Sequence, residues 1–180
     1  MLKLKNLCKL FILMLFSIFC ALSFCEVFLR IKHNYITHYD IEMWKYAKTL
    51  KIQNKNKDIG HTHKKNASAI LQKVNISINN YGQRDGFINN KILQKYERKF
   101  LILGSSIVLG WGVEQNQTFS AILNDLANKN NKNWIFINGG IGNHNTKRYV
   151  NNYLTNWSEL EFTDIIINFF VNDTEILLDK

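Results

Sequence analysis

Apolar residues run almost without a break from Leu10 to Leu29, behind a start that carries Lys3, Lys5 and Lys9. About 20 such residues wound as a helix cross the hydrocarbon core of a bilayer. A cleaved signal peptide shares the basic start and the apolar centre. Two features argue against it: no small-x-small cleavage site follows the apolar run, and the bulky Phe24 before Cys25 makes a poor lipoprotein site. Residues 1–9 are therefore read as a basic cytoplasmic start and 10–29 as a transmembrane signal anchor. Glu26 and Arg30 sit at its outer interface, and the excess of lysine before the span places the rest of the chain outside the cytoplasm.

Beyond the anchor, residues 30–98 read as a juxtamembrane and pre-domain segment. YDIEMWKYAKTLKI spaces Ile41, Trp44, Tyr46, Ala47 and Leu50 in a loosely helical way, and the polar stretch from Gln53 to Lys65 reads as a linker. A short β-like run covers Val74 to Ile78, with a turn near Gly82. From residue 99 the pattern becomes regular. KFLILG, WIFIN and DIIINFF are compact apolar runs, read as strands. Between them TFSAILNDLANK puts Phe119, Ile122, Leu123 and Leu126 on one helical face, and KRYVNNYLTNW is a second helix. Continuous apolar strands alternating with helices predict an α/β fold with a parallel sheet buried on both faces. Ligands of such sheets gather at the carboxyl ends of the strands, so the loops after Leu103, Asn138 and Val171 are the ones to inspect.

All three cysteines, Cys8, Cys20 and Cys25, lie in or beside the apolar run, which leaves none for a disulfide or thiolate metal site in the exported part. The net charge of +9 comes from lysines scattered among many asparagines and isoleucines, with no patch that points to nucleic acid. A dinucleotide-binding reading fails on detail. Gly140-Ile141-Gly142 follows the second strand and lacks a third glycine in register, and no G-x-x-x-x-G-K-[ST] occurs.

The three loops carry the parts of an acyl-transfer site. The first places Gly104, Ser105 and Ser106 directly after a strand, where a serine hydroxyl can stand at the open end of the sheet. The second, INGGIGNHNT, brings backbone amides close to a ligand through its glycines. The third, FFVNDT, offers the Asn172 amide and the Asp173 carboxylate. A hydroxyl flanked by N–H donors is what a developing oxyanion requires.

On these residues the chain resembles the SGNH (GDSL-type) ester hydrolases. GSSIVLGWGV is similar to their first block, NGGIGNHNT to the second and FFVND to the third, while YDIEMW, GHTH (Gly60 to His63) and NNYGQRD (Asn79 to Asp85) resemble a bacterial subgroup with one N-terminal anchor. The resemblance implies a flavodoxin-like three-layer α/β/α fold, of which residues 99–180 hold about three parallel strands. It implies Ser106 as nucleophile, with the Gly140 backbone N–H and the Asn172 side chain, beside the Ser106 N–H, as oxyanion-hole donors. Gly104, Ser105 and Asp173 support them. Ser105 stands where the family usually has aspartate, and Phe170 where glycine is common. The substrate implied is an acyl ester, such as an acylated glycan or lipid; no cofactor and no metal are implied. The family's closing D-x-x-H block, with its catalytic histidine and aspartate, has no counterpart before Lys180, so a truncated hydrolase domain is expected. Removing one member of such a triad costs orders of magnitude in rate. The alternative is a non-catalytic remnant or a membrane-tethered binding module.

The remaining polar residues have plainer readings. Asp58-x-x-His61 lies upstream of the serine and is read as a decoy. His61 and His63 hold their loop rather than a metal, and His144 contacts substrate or serves as a base only as a minor alternative. Asp173 organises its own loop, Trp44, Trp111 and Trp157 pack, and Arg84 and Asp85 tie the pre-domain segment to the core.

Overall fold

A computed structural model describes residues 2–86 and 88–174, which fall into two compact units, one up to Ile41 and one from Glu42. The first unit is dominated by helix α1 (Leu2–Tyr35). Its stretch Lys9–Tyr35 has a mean hydropathy of 2.4 and buries none of its side chains, so it is long and apolar enough to cross a membrane. Apolar side chains point outward on every side, as a lipid-facing helix requires. Glu26 and Arg30, four residues apart, pair at 2.8 Å near its carboxyl end.

Helix α2 (Tyr39–Leu50) leads into the second unit. The stretch read as a polar linker contains structure: strand β1 (Lys51–Gln53) pairs antiparallel with β2 (His61–His63). Strands β3 (Ser68–Leu71) and β4 (Val74–Ser77) form a hairpin, of which the apolar pattern marked only the second arm. Its two-residue turn, Gln72-Lys73, has φ of 53° and 65°, the left-handed pair that suits the twist of a tight hairpin. Glu42 is buried and accepts the Gln72 N–H at 2.7 Å, fastening the hairpin to α2. Tyr46, Leu50, Leu71, Ile76 and Ile78 form a small core of their own, and Leu109 joins it.

After the one-turn helix α3 (Asn90–Leu93) comes the sheet. Strands β5 (Arg98–Gly104), β6 (Trp134–Gly140) and β7 (Asp164–Ile167) are parallel in the order β6-β5-β7, so the α/β expectation holds. Side chains alternate between faces. Leu101, Leu103 and Ile137 meet Tyr149 and Trp157 around helix α6 (Thr146–Asn156), while Phe100, Ile102 and Phe136 meet Val108 of α4 (Ser106–Leu109) and Ala127 of α5 (Phe119–Lys129). The third strand stops at Ile167, three residues short of the apolar run that predicted it.

Helix α5 lies in an orientation that its apolar stripe did not predict. Asn124 donates to Phe136 O at 2.9 Å and accepts Phe136 N–H at 2.8 Å, satisfying the outer edge of β6. That paired bond turns Ser120, Leu123 and Ala127 to the sheet and leaves Phe119, Ile122 and Leu126 about half exposed. Of the four large apolar residues read onto one helical face, Leu123 alone packs on the sheet. Trp157 is buried and Trp111 packs against the small core, whereas Trp44 is 62% exposed, against the expectation that it packs.

Candidate active site

The loops after β5, β6 and β7 leave one edge of the sheet side by side. Gly104 and Gly140 are in register, Ile141 N–H donates to Gly104 O at 3.1 Å, and Asn168 N–H donates to Leu103 O at 2.9 Å. Ser105 occupies the N-cap position of α4 without a side-chain capping bond and is buried, and Ser106 is the first residue of that helix. The N–H groups of a first helical turn have no partner within the helix, so the Ser106 N–H is an open donor. Its hydroxyl makes no hydrogen bond among the described residues and borders a cleft of about 520 Å³. Ile107, Trp111, Phe119 and Ile122 line that cleft, and no charged side chain does.

Gly140 lies against α4, where a Cβ would stand 2.1 Å from Leu109 N; only glycine lets the strand end seat the serine helix. Its N–H donates to Asn138 Oδ1 at 3.0 Å, and Asn138 Nδ2 donates to Val108 O at 2.7 Å. Buried Asn138 thus joins β6 to α4 and engages the donor expected to face an oxyanion. The N–H of Asn143, with φ 65°, has no partner among the described residues. In the third loop, Asp173 Oδ2 accepts Phe170 N–H at 2.6 Å, closing that loop on itself. Asn172 lies in the 3-10 turn Val171–Thr174, and its side chain falls outside the described residues, as do residues 175–180.

The upstream motifs act as anchors. Arg84 is fully buried and donates through Nη1 to Leu109 O and Gly110 O and through Nη2 to Val113 O, holding the segment that follows Ser106. The loop after β6 is held at Gly142. Tyr46 Oη accepts its N–H at 3.0 Å, and Lys51 Nζ and His61 Nε2 lie 2.8 and 3.0 Å from its carbonyl. A Cβ on Gly142 would come within 2.7 Å of the Tyr46 ring, so this close approach needs glycine. His63 Nδ1 lies 2.9 Å from Gly82 O and must donate to it, which leaves Nε2 to accept from Tyr46 Oη at 2.6 Å. His144 Nε2 lies 2.7 Å from His61 O and donates there.

Burial holds these imidazoles neutral. It pushes His61 to about 4, with help from the Lys51 charge, and His63 also to about 4 against the bond to Gly82. Burial and then His61 push His144 down to about 2. Lys51 falls to about 8 through burial and the nearby Arg148 guanidinium. Asp85 rises to about 6 as burial outweighs the Gly86 and Asn138 amides it accepts. Asp58 pairs with Lys147 at 2.6 Å rather than orienting His61.

Among the described residues no group of three or more histidine, cysteine or acidic side chains is placed to hold a metal ion. Sequence reasoning assigned the histidines a loop-holding part but passed over Tyr46, Lys51 and Asn138, whose partners are 96, 91 and 30 residues away. Only the asparagine directly before Gly139-Gly140 offered a local signal. Matched against family models, curated proteins and solved structures, the chain finds no counterpart.

Proposed function

We propose that this chain carries the nucleophile half of a membrane-anchored, SGNH-type serine ester hydrolase of flavodoxin-like fold, acting on acyl esters outside the cytoplasm. The observation that carries this reading is the placement of Ser106. An unengaged hydroxyl stands at the carboxyl edge of a parallel sheet, on the first turn of a helix, at the border of an apolar cleft. Ser106 Oγ attacks the ester carbonyl and forms the acyl–oxygen bond while the alcohol leaves. The hydroxyl proton would pass to a general base, a histidine in the family the chain resembles, that the residues lining the Ser106 cleft do not supply, and from there to the leaving alkoxide. Water then releases the acid by the reverse sequence. The Ser106 N–H, the Asn172 side chain and the N–H groups of the β6 loop would meet the oxyanion. Gly140 can take part only by sharing the N–H that Asn138 accepts.

The full chain in nanodiscs, assayed with 4-nitrophenyl esters, should show slow turnover, limited by the want of a base beside Ser106, that Ser106→Ala abolishes. Equal rates in the two chains would remove the reading. A non-catalytic, membrane-tethered module is favoured by one observation, that no histidine or acidic side chain lines the cleft at Ser106, and turnover no faster than the background in both chains would support it.

A further inference from the structure

The surplus apolar stripe of α5 and the serine face the same cleft. Phe119 and Ile122, 52% and 47% exposed, line it together with Ile107, which is 53% exposed, and Trp111. Residues three and four apart share a helix face, so a helix normally turns such a stripe toward the core. Here Asn124, locked to the edge of β6, holds it out. Large apolar side chains clustered in water beside the serine, with Gln117 and Thr118 as the other polar side chains of the lining, mark a binding surface more often than accident. The walls carry no charge in a chain of net charge +9, so the cleft matches an uncharged, apolar occupant and has nothing to offer a phosphate or a uronate. At about 520 Å³ it lies within the range of roughly 300–1,000 Å³ typical of ligand clefts. An acetyl group would leave most of that space to water.

Resting on the hydrolase reading, we infer that this cleft is the acyl subsite and that it takes an extended aliphatic acyl chain rather than an acetyl group, with Phe119 and Ile122 as the residues that set that preference. The carbonyl end would lie at Ser106 and the hydrocarbon tail along Ile107, Trp111 and the outer face of α5.

Two arms test this. In the first, the full chain in nanodiscs is titrated with decanoate and with acetate while tryptophan emission is followed, with Trp111→Phe assigning the signal. Decanoate should give a saturable change that acetate does not, and the change should disappear in Ile122→Asp and weaken in Phe119→Ser. Both positions are about half exposed, so both variants should keep the wild-type urea midpoint. No saturable change, or a change unaltered in Ile122→Asp, overturns the inference. In the second arm, 4-nitrophenyl octanoate and acetate are compared. Each buried methylene is worth about fourfold in kcat/KM, so octanoate should lead by at least about tenfold in the wild type, and that lead should collapse in Ile122→Asp. Decanoate binding without Ser106-dependent turnover leaves the acyl subsite standing and removes the hydrolase reading. Ser106-dependent turnover indifferent to chain length, without decanoate binding, does the reverse.

Discussion

The loops after β5 and β7 leave the same sheet edge and are held in opposite ways. Behind the first stands Arg84, buried, its guanidinium spread over three backbone carbonyls between Leu109 and Val113. The loop after β6 is treated similarly, with Gly142 gripped by Tyr46, Lys51 and His61. The segment after β7 closes on itself through Asp173 and exposes Phe169, Phe170 and Val171. This difference gives the upstream segment a purpose. Residues 42–86 pack little of the sheet's own core but supply the donors and acceptors that the first two loops need to hold one shape. Preorganisation of this kind is what a site requires when charge develops during a reaction.

Breaking the anchored side should cost most at Arg84. Arg84→Met strands three carbonyls that have lost a charged donor, each worth roughly 1–3 kcal/mol when buried, so a loss of about 3–5 kcal/mol is expected in urea unfolding. Arg84→Lys cannot span the same fork and should recover less than half of it. Next comes Tyr46→Phe, which removes the oxygen that accepts Gly142 N–H and donates to His63; about 2 kcal/mol should be lost, with faster amide exchange at Gly142 than at Ile141. If either variant unfolds at the wild-type urea concentration, the anchoring account is wrong.

The same network should respond to acid. His61, His63 and His144 titrate lower in the folded chain than the ordinary 6.5, so between about 6.5 and 4 the unfolded chain takes up protons that the folded chain refuses. Their contribution to stability is therefore complete above pH 6.5 and lost as pH falls, through about 4 for His61 and His63 and through about 2 for His144. Urea midpoints at pH 7, 6 and 5 should decline in step, and His144→Gln should flatten the decline. A flat profile in the wild type would mean that these imidazoles are not buried as described.

The smallest effects belong to the unanchored side. Val171→Ser and Phe169→Ser alter exposed positions and should shift stability by no more than about 0.5 kcal/mol. Asn172→Ala, if the hydrolase reading holds, should slow ester turnover by about a hundredfold. A stability loss comparable to that of Tyr46→Phe would erase the contrast between the loops.

Several elements were legible because their causes are local. A twenty-residue run broken only by Ser17, Ser23 and Glu26 marks a membrane-length helix whatever follows, and β5 and β6 declare themselves as runs buried on both faces. The serine after β5 and the glycine pair ending β6 stood out for the same reason, since a strand end and a tight approach are written in adjacent residues. The short strands β1 and β2 were hidden because HTH and KIQ have no apolar alternation; in the folded chain their residues are engaged by distant partners, His63 by Tyr46 and Lys51 by Gly142. The exposed face of α5 was hidden because periodicity tells which residues share a face but not which face the sheet takes.

The sequence alone thus determined the long apolar helix, the α/β alternation and the order of the three loops, all set by the run of apolar residues along contiguous stretches. Tertiary structure decided the rest: that Arg84 serves the serine loop, that Gly140 spends its N–H on Asn138, and that Phe119 and Ile122 turn toward Ser106. Each of these depends on a hydrogen bond or close approach between residues distant in the chain, and such pairings are chosen by the whole packed arrangement.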